Sequence, residues 1–341
     1  MTINHQKTII TTQAGLQVEA QAPVIISASR STDIPAFYAD WFIDRLQQGY
    51  VKWKNPFNGA PIYVSFQQTR LLVFWSKNPK PMLKHLKYLD EHNLNYYFLY
   101  TLNDYEQEGI ERGVPKLADR IETFQKLASE IGKEKVIWRF DPLILTDTLG
   151  VDELLRRIED IGNQLKGFTD KLVFSFAYIQ KYKKVKFNLQ KSSINYRDFE
   201  EKEIYSLASE LQKLNQSLNF EICTCAEQIP FEQYNIFHNK CIDDDLIIKL
   251  FPQDNNLMDF LGVKVHPSNL FNVVPVIEKT FLNRDTGQRD FCGCVKSKDI
   301  GEYNTCIHQC EYCYANTSKQ KAKDNFIQHL KNASAETITG K

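Results

Sequence analysis

Strand segments and helical segments alternate along most of this chain, and that alternation is the feature that most limits its fold. Between one apolar run and the next lie segments whose apolar residues recur with helical spacing, for example 115–132 and 151–166. Parallel strands need such crossovers, so the pattern predicts an α/β fold. The predicted strands are 24–30, 71–75, 96–101, 135–138, 171–178 and 219–225.

The predicted strands end in polar residues, which favours a barrel over an open sheet. Arg30 ends the first strand, Lys77 follows the second, and Asp141 follows the fourth. In a (β/α) barrel the carboxyl ends of the strands form one rim that carries the active site. A doubly wound sheet is the alternative, but no G-x-G-x-x-G motif follows any strand. We therefore predict a TIM-like (β/α) barrel, with a hairpin at 8–20 that closes its bottom.

The cysteines point to metal binding in the cytoplasm. The N-terminus lacks the apolar core of a signal peptide, and no apolar run approaches the roughly 20 residues of a membrane helix. Disulfide frameworks belong to small secreted chains, whereas this chain has 341 residues and no cysteine among the first 222. We expect reduced thiols, a cytoplasmic location and no membrane partner. The cysteines are 223, 225, 241, 292, 294, 306, 310 and 313.

Three of these cysteines lie on one short segment. Cys306, Cys310 and Cys313 have the spacing C-x3-C-x2-C, and Tyr312 directly precedes the last of them. Four thiolates saturate a cubane iron–sulfur cluster, but three leave one iron without a protein ligand. An open coordination position is typical of a catalytic metal site rather than a structural one. Part of a zinc site or an electron-transfer cluster is the alternative interpretation.

This spacing, with its aromatic residue, resembles the signature of the radical S-adenosylmethionine (SAM) superfamily. The resemblance implies that Cys306, Cys310 and Cys313 hold a [4Fe–4S] cluster whose fourth iron binds SAM. It implies reductive cleavage of SAM to methionine and a 5′-deoxyadenosyl radical, which takes a hydrogen atom from an unknown substrate. It also implies an electron donor such as a flavodoxin or ferredoxin. The run 311–314 resembles the loop of the spore photoproduct lyase branch.

Nearly the whole chain resembles the domain of unknown function 1848 family. This resemblance does not by itself imply an activity. The segments that carry this resemblance are 27–33, 74–79, 139–142, 225–227 and the cysteine-rich end. Radical SAM enzymes usually carry the cysteine loop near the start of the barrel, whereas here it lies near the C-terminus. The combined resemblance therefore implies a circularly permuted radical SAM barrel.

The polar strand ends supply candidate contacts for SAM and substrate. The planar fork of an arginine suits the carboxylate of SAM, and serine or asparagine can hydrogen-bond ribose hydroxyls. The alternative is a set of ion pairs that cap the strands. The candidate cofactor contacts are Arg30, Ser31, Thr32, Lys77, Asn78 and Tyr312, and the candidate catalytic residues are Arg139, Asp141 and Glu227. His308, inside the cysteine segment, is expected to face solvent.

Four of the remaining five cysteines could complete a second, closed set of ligands. We predict that this set is Cys225, Cys241, Cys292 and Cys294, with Cys223 as the spare. A second [4Fe–4S] cluster and a structural zinc ion both fit four thiolates, and we favour the cluster. Alternatively, cysteines on the last predicted strand are simply small buried apolar residues.

The chain is predicted to have two parts. Residues 1–284 form the barrel, and residues 285–341 form a cysteine-rich segment that ends in a helix near 318–333 and a disordered tail. The formal net charge is zero, so a nucleic-acid partner is possible but not favoured. The Lys-rich run 181–191 is interpreted as a loop that becomes ordered on binding. The alternative functions are a non-catalytic iron–sulfur or zinc protein, and a radical SAM enzyme of nucleic-acid repair or modification.

Overall fold

The computed structural model describes residues 5–56, 58–181, 183–192, 194–266, 276–280, 283–288 and 292–341. Its strands are β1 (Gln6–Thr11), β2 (Gln17–Ala22), β3 (Ile25–Ser27), β4 (Tyr50–Lys54), β5 (Pro61–Ser65), β6 (Leu71–Ser76), β7 (Asn95–Thr101), β8 (Val136–Leu143), β9 (Leu145–Thr146), β10 (Lys171–Phe176), β11 (Tyr196–Arg197), β12 (Glu221–Cys225), β13 (Ile236–Asn239), β14 (Val263–His266), β15 (Val276–Lys279) and β16 (Lys298–Asp299). Its α-helices are α1 (Ile34–Phe37), α2 (Ala39–Gln48), α3 (Leu86–Glu91), α4 (Leu117–Ile131), α5 (Val151–Leu165), α6 (Lys183–Lys191), α7 (Glu201–Leu218), α8 (Asp244–Leu250), α9 (Asn255–Leu261) and α10 (Lys319–Lys331).

Eight strands form one sheet in which every neighbouring pair is parallel. The order is β13-β12-β10-β8-β7-β6-β3-β16. Helices α3, α4, α5 and α7 lie between successive strands of the sequence, as parallel pairing requires. The predicted α/β class is confirmed. Among the described residues no pairing joins β13 to β16, so these two are the edge strands.

Both faces of this sheet are apolar, but they are covered by different elements. Leu72 and Phe74 of β6 point to one side, whereas Leu71 and Val73 point to the other, as alternation along a strand requires. Helices α2, α3, α4, α5 and α7 pack against the first face. The second face meets α8, α9 and segments that carry three of the cysteines. Burial on both sides explains why the strands read as continuous apolar runs.

A smaller sheet holds the N-terminal hairpin. The predicted hairpin forms, with β1 antiparallel to β2 and Gly15 at a positive φ in the turn. It joins β5 and β4 in a four-stranded sheet of order β1-β2-β5-β4. The carbonyl of Glu336 accepts a bond from the Lys52 amide of β4 at 2.9 Å, so the C-terminal residues pack against this small sheet.

Two predictions about the chain are wrong. The Lys-rich run was expected to be a loop, but it forms α6, whose buried Val185 and Leu189 face the core. The C-terminal tail was expected to be disordered, but Ile338 is buried and Trp41 donates to the carbonyl of Ala335 at 2.8 Å. Both segments are ordered because each places apolar or hydrogen-bonding groups against the main body.

The cysteine-rich segment is part of the large sheet. β16 pairs with β3 in parallel, with Lys298 opposite Ile26 and Asp299 opposite Ser27. Residues after 285 therefore supply the edge strand beside β3, the first strand of the large sheet in sequence. Within the described chain, no helix has the length and apolar character that a membrane span requires.

Candidate metal centre at the carboxyl edge of the sheet

The segment from Cys306 to Cys313, here called the three-cysteine loop, follows β16 and lies against a second loop. The Gly113 amide donates to the carbonyl of His308 at 2.8 Å, and the Glu311 amide donates to Ile110 at 2.9 Å. A Cβ at Gly113 would lie 2.6 Å from the His308 carbonyl oxygen, so only glycine fits this approach. Main-chain pairing with 110–113 thus sets the shape of the loop.

Cys306 and Cys310 lie close enough to Cys313 for its charge to act on the pKa of each. Burial raises the pKa of Cys306, and the charges of Asp33, Cys310 and Cys313 raise it further. Burial also raises the pKa of Cys310, where Lys77 opposes the shift. Lys77 therefore limits the rise in the pKa of Cys310, and the thiolate is the form that binds metal.

No three cysteine sulfurs of the described residues converge on one point. Sulfurs bound to one tetrahedral zinc lie about 3.8 Å apart, given a Zn–S bond of about 2.3 Å. Among the described residues, Asp243, Asp244 and Asp245 form the group of three potential ligands that lie mutually within 4.8 Å, and no three cysteines do. The choice between a cluster and a zinc ion at this loop therefore depends on how many protein ligands the loop supplies.

A buried polar network stands behind the loop. The Glu111 carboxylate accepts from Lys77 Nζ at 2.7 Å, from Asn103 Nδ2 at 2.9 Å and from the Tyr312 hydroxyl. The main chain of Glu111 forms a single antiparallel bridge with Cys310. Burial disfavours the charged form of Lys77, but Glu111 and Cys310 raise its pKa. The network therefore keeps a positive charge next to the thiol of Cys310.

The expectation that His308 faces solvent is wrong. Its ring is buried, and Nε2 lies 2.7 Å from Asp33 Oδ2 while Nδ1 lies 3.3 Å from the carbonyl of Gly113. Asp33 also accepts from Ser76 Oγ and from the Lys77 amide, both at 2.8 Å. Asp33 is the last residue of the segment 27–33, one of those that carry the family resemblance. The structure shows that it also joins the end of β6 to the three-cysteine loop.

Arg30 and Ser31 lie beside a carboxylate that the sequence did not single out. Asp299 of β16 accepts from the Arg30 amide at 3.3 Å and from Ser31 Oγ at 3.0 Å. The Arg30 guanidinium lies over the ring of Trp75, 5.3 Å from its centre. Asp299 is placed there by the pairing of β16 with β3, which no local sequence pattern reveals.

Buried polar atoms without partners mark this part of the rim. Arg30 Nη2, Thr32 Oγ1 and Asn316 Oδ1 have no hydrogen-bond partner among the described residues. An unpaired buried polar atom costs about 1–3 kcal/mol unless a ligand or water satisfies it. These atoms lie on segments next to the three-cysteine loop, since Asn316 donates to the Cys306 carbonyl and Tyr314 donates to the Arg30 carbonyl. They are candidate contacts for a bound polar molecule.

Each predicted catalytic residue has a hydrogen-bond or ion-pair partner within the protein. Arg139 forms an ion pair with Asp141, and Ser175 also bonds the Asp141 carboxylate. Glu227 is buried and accepts from the Tyr178 hydroxyl at 2.8 Å. The ion pair matches the alternative that these charges cap strand ends. Asn78, a predicted cofactor contact, is half-buried, and its amide donates to Ser76 Oγ at 3.0 Å.

The structure brings together the four cysteines that were predicted as a second ligand set, here called the four-cysteine group. Cys225 Sγ lies 3.5 Å from Cys241 Sγ. Cys294 Sγ accepts from the amides of Cys241 and Ile242 at 3.2 and 3.4 Å. Side-chain contacts continue from Cys241 to Cys294 and from Cys294 to Cys292. The sulfurs thus form a continuous row of contacts.

The electrostatics of this row favour thiolates at two positions. Hydrogen bonds with Cys225 and Cys294 lower the pKa of Cys241 well below its usual range, and Arg139 Nη1, 3.0 Å from its sulfur, adds to that effect. A hydrogen bond with Cys294 lowers the pKa of Cys292 to about 6. Thiolates are the form that binds metal.

The fifth cysteine lies outside this row. Cys223 points into the core from β12, and its sulfur lies 3.4 Å from Glu221 Oε1. Burial raises the pKa of Cys223 to about 12. It is two residues from Cys225 on the same strand, but only Cys225 stands at the strand end.

Helix α6 borders the exposed side of the three-cysteine loop. Lys184 Nζ donates to the carbonyl of Tyr314 at 3.0 Å, and Asn188 Nδ2 donates to the carbonyl of Cys313 at 3.3 Å. Cys313 itself is partly exposed. The sequence predicted no relation between the Lys-rich run and the cysteines, because the contact joins residues about 125 positions apart.

Comparison with known proteins identifies one relationship. A family model described as a domain of unknown function (DUF1848) matches residues 25–315. That range includes both cysteine groups and the rim residues described above, apart from Asn316. Neither the curated proteins nor the solved structures yield a match to the chain.

Proposed function

This chain belongs to the domain of unknown function 1848 family, and we propose that it is a radical SAM enzyme acting on an unidentified substrate. One observation carries the proposal. Both ring nitrogens of His308, the histidine inside the three-cysteine loop, face other partners, Asp33 and Gly113. The carboxylate of Glu311, also in the loop, is paired with Lys319. The side chains of His308 and Glu311 are thus engaged elsewhere, and the three thiolates that remain suit a cluster with one open iron.

The residues around the loop fit such a cluster. Its thiols are buried at Cys310 and partly buried at Cys306 and Cys313, and Cys310 lies next to the Lys77 cation. When bound to these thiolates and reduced, a [4Fe–4S] cluster supplies the electron that splits SAM into methionine and a 5′-deoxyadenosyl radical. The role of the polypeptide is to bind and orient SAM and to exclude water.

Arg30 and Thr32 are the residues that we propose to bind SAM. Each has a buried polar atom without a partner among the described residues. Arg30 carries the planar donor group that suits a carboxylate, and Thr32 Oγ1 can bond an amino or hydroxyl group. Ser31 is already bonded to Asp299, so its role is to position the Arg30 segment. Lys77 and Tyr312 bond Glu111, so they support the loop.

The strand order supports a permuted barrel. With β16 placed first, the order reads β16-β3-β6-β7-β8-β10-β12-β13, so the remaining strands follow in chain order. The three-cysteine loop then follows the first strand in space, although it comes late in the sequence. Helices α2 to α5 and α7 cover one face only, as in a sheet that curves around an interior. We infer that the sheet is the wall of a circularly permuted, TIM-like barrel.

An acidic electron donor such as a flavodoxin or ferredoxin is the proposed redox partner. Helix α6 bears Lys183, Lys184, Lys186 and Lys191 and contacts the main chain at Cys313 and Tyr314. A basic surface next to the cluster site would steer an acidic partner toward it.

The test is anaerobic reconstitution followed by SAM cleavage. Protein with an intact cluster, given dithionite and SAM, should release 5′-deoxyadenosine, and SAM should change the spectrum of the reduced cluster. Arg30→Ala should weaken SAM binding by roughly tenfold or more, as expected for loss of a charge-assisted bond, with iron content unchanged. An intact reduced cluster whose spectrum does not change when SAM is added would overturn the proposal.

A further inference from the structure

The four-cysteine group connects the two edges of the eight-stranded sheet. Cys225 ends β12, next to the edge strand β13, and Cys241 follows β13 by two residues. Cys292 and Cys294 precede β16, the opposite edge strand. The Val295 amide donates to the carbonyl of Ile242 at 3.0 Å, so the two segments are in direct main-chain contact. Strand pairing in the sheet ends at β13 on one side and at β16 on the other. The two segments that carry these cysteines connect one edge strand to the other.

The sulfurs of this group are held by donors. Cys294 accepts two main-chain N–H groups, and Cys241 accepts Arg139 Nη1 at 3.0 Å and Asn239 Nδ2 at 3.7 Å. Donors aimed at ligand atoms are typical of metal sites, where they orient the ligands. A purely apolar packing role for these cysteines would need none of these bonds. The donor pattern therefore points to a bound metal.

We propose that the four-cysteine group binds one zinc ion, which links β13 to β16 and closes the sheet into a continuous wall. Four protein thiolates around zinc leave no open position, so the site is structural rather than catalytic. The proposal is independent of the radical SAM function, because no residue of the three-cysteine loop takes part.

Zinc fits this group better than the second iron–sulfur cluster favoured by the sequence. Cys225 Sγ and Cys241 Sγ are 3.5 Å apart, close to the about 3.8 Å expected between sulfurs on one tetrahedral zinc. Thiolates of a cubane bind different irons and stand further apart. The four sulfurs form a row in this structure, and binding of one ion requires a change of cysteine rotamers that closes the row.

Arg139 completes the charge balance of the site. Four thiolates around one Zn²⁺ carry a net charge of minus two, which is costly to bury without a cation. The buried guanidinium of Arg139 lies on Cys241 and is itself paired with Asp141. The zinc site is therefore continuous with the polar rim, and Arg139 acts as a positioning residue between them.

Metal analysis of the full-length protein is the first test. Wild-type protein should contain one zinc per chain, and cobalt substitution should give the absorption of a tetrahedral four-thiolate site. Cys292→Ala with Cys294→Ala should lose the zinc, while iron at the three-cysteine loop stays at its wild-type level. Cys223→Ala is the matched control, because this cysteine is buried outside the group, and it should keep the zinc.

The closure of the sheet is tested on the wild-type protein, because a cysteine variant that fails to fold would not separate loss of zinc from loss of the fold. Removal of zinc by a chelator should lower the unfolding midpoint by roughly 5–10 °C, and re-addition should restore it. Hydrogen exchange should speed up in peptides that contain β13 and β16, but not in β7. Wild-type protein with eight irons and no zinc per chain would overturn the zinc assignment. A disulfide between Cys225 and Cys241, with no metal in the group, would overturn it as well. Unchanged exchange after zinc loss would overturn the closure.

Discussion

The three-cysteine loop and the four-cysteine group place similar thiols by opposite means. The loop draws its thiols from eight consecutive residues, 306–313, and takes its shape from pairing with 110–113. The group draws its thiols from β12, from the segment after β13 and from the segment before β16. Loss of metal from a local site should change the stability of the fold little, whereas loss of metal from a site built across two sheet edges should lower it. Catalysis and stability are therefore expected to separate between the two.

The sharpest test of that separation is Cys310→Ala. Removal of one of only three cluster ligands should reduce iron to a trace and 5′-deoxyadenosine release to background, with zinc retained. The unfolding midpoint should fall less than in the Cys292→Ala, Cys294→Ala double variant. Equal loss of stability in the two variants would remove the distinction between a catalytic and a structural group.

Asp33 tests how the loop is held to the sheet. Asp33→Ala leaves His308 Nε2, Ser76 Oγ and the Lys77 amide without their buried acceptor. The free energy of unfolding from urea titration should fall by about 3 kcal/mol. Asp33→Asn keeps an acceptor and should lose less. A change below about 0.5 kcal/mol in the alanine variant would show that main-chain pairing alone positions the loop.

Asp299 lies on β16, between the two cysteine groups in sequence. Its ionisation makes its contribution to the stability of the protein depend on pH. Burial raises the pKa of Asp299, although the Gly301 amide, Arg30 and Ser31 oppose the shift. The unfolded chain then releases this proton more readily than the folded chain, so the residue's contribution to stability decreases as pH rises above about 4.

Asp299→Asn cannot ionise, so the variant should gain stability relative to the wild type as pH rises from 4 to 7. The expected gain is about 1 kcal/mol or less, measured from urea midpoints at each pH. A difference between the two proteins that stays constant with pH would contradict the predicted shift.

The smallest expected effect concerns the surface beside the loop. Lys183→Glu on α6 should slow cluster reduction by an acidic flavodoxin about three- to tenfold at low salt, because steering by opposite charges is lost. Reduction by dithionite should not change, and added salt should shrink the difference. Lys126→Glu on α4 is the matched control. The same slowing in both variants would exclude α6 as the docking face.

The sequence predicted the strand–helix alternation correctly because both periodicities are local. The run from Leu71 to Trp75 has the apolar composition of a buried strand, whatever its place in the fold. Leu154, Ile158 and Ile161 recur with helical spacing and mark one face of α5. The same local logic misjudged His308 and the run 181–191. Their burial depends on Asp33 and on the main chain at Cys313 and Tyr314, which lie far away in sequence.

The amino-acid sequence alone determined the α/β class, the family and the three-cysteine spacing, because each is written in neighbouring residues. Tertiary structure alone decided that β16 joins β3, that Asp299 and Glu111 enter the site, and that four distant cysteines meet. The physical reason is that strand pairing order and buried hydrogen-bond partners arise from contacts between remote segments, and a linear pattern carries no record of them.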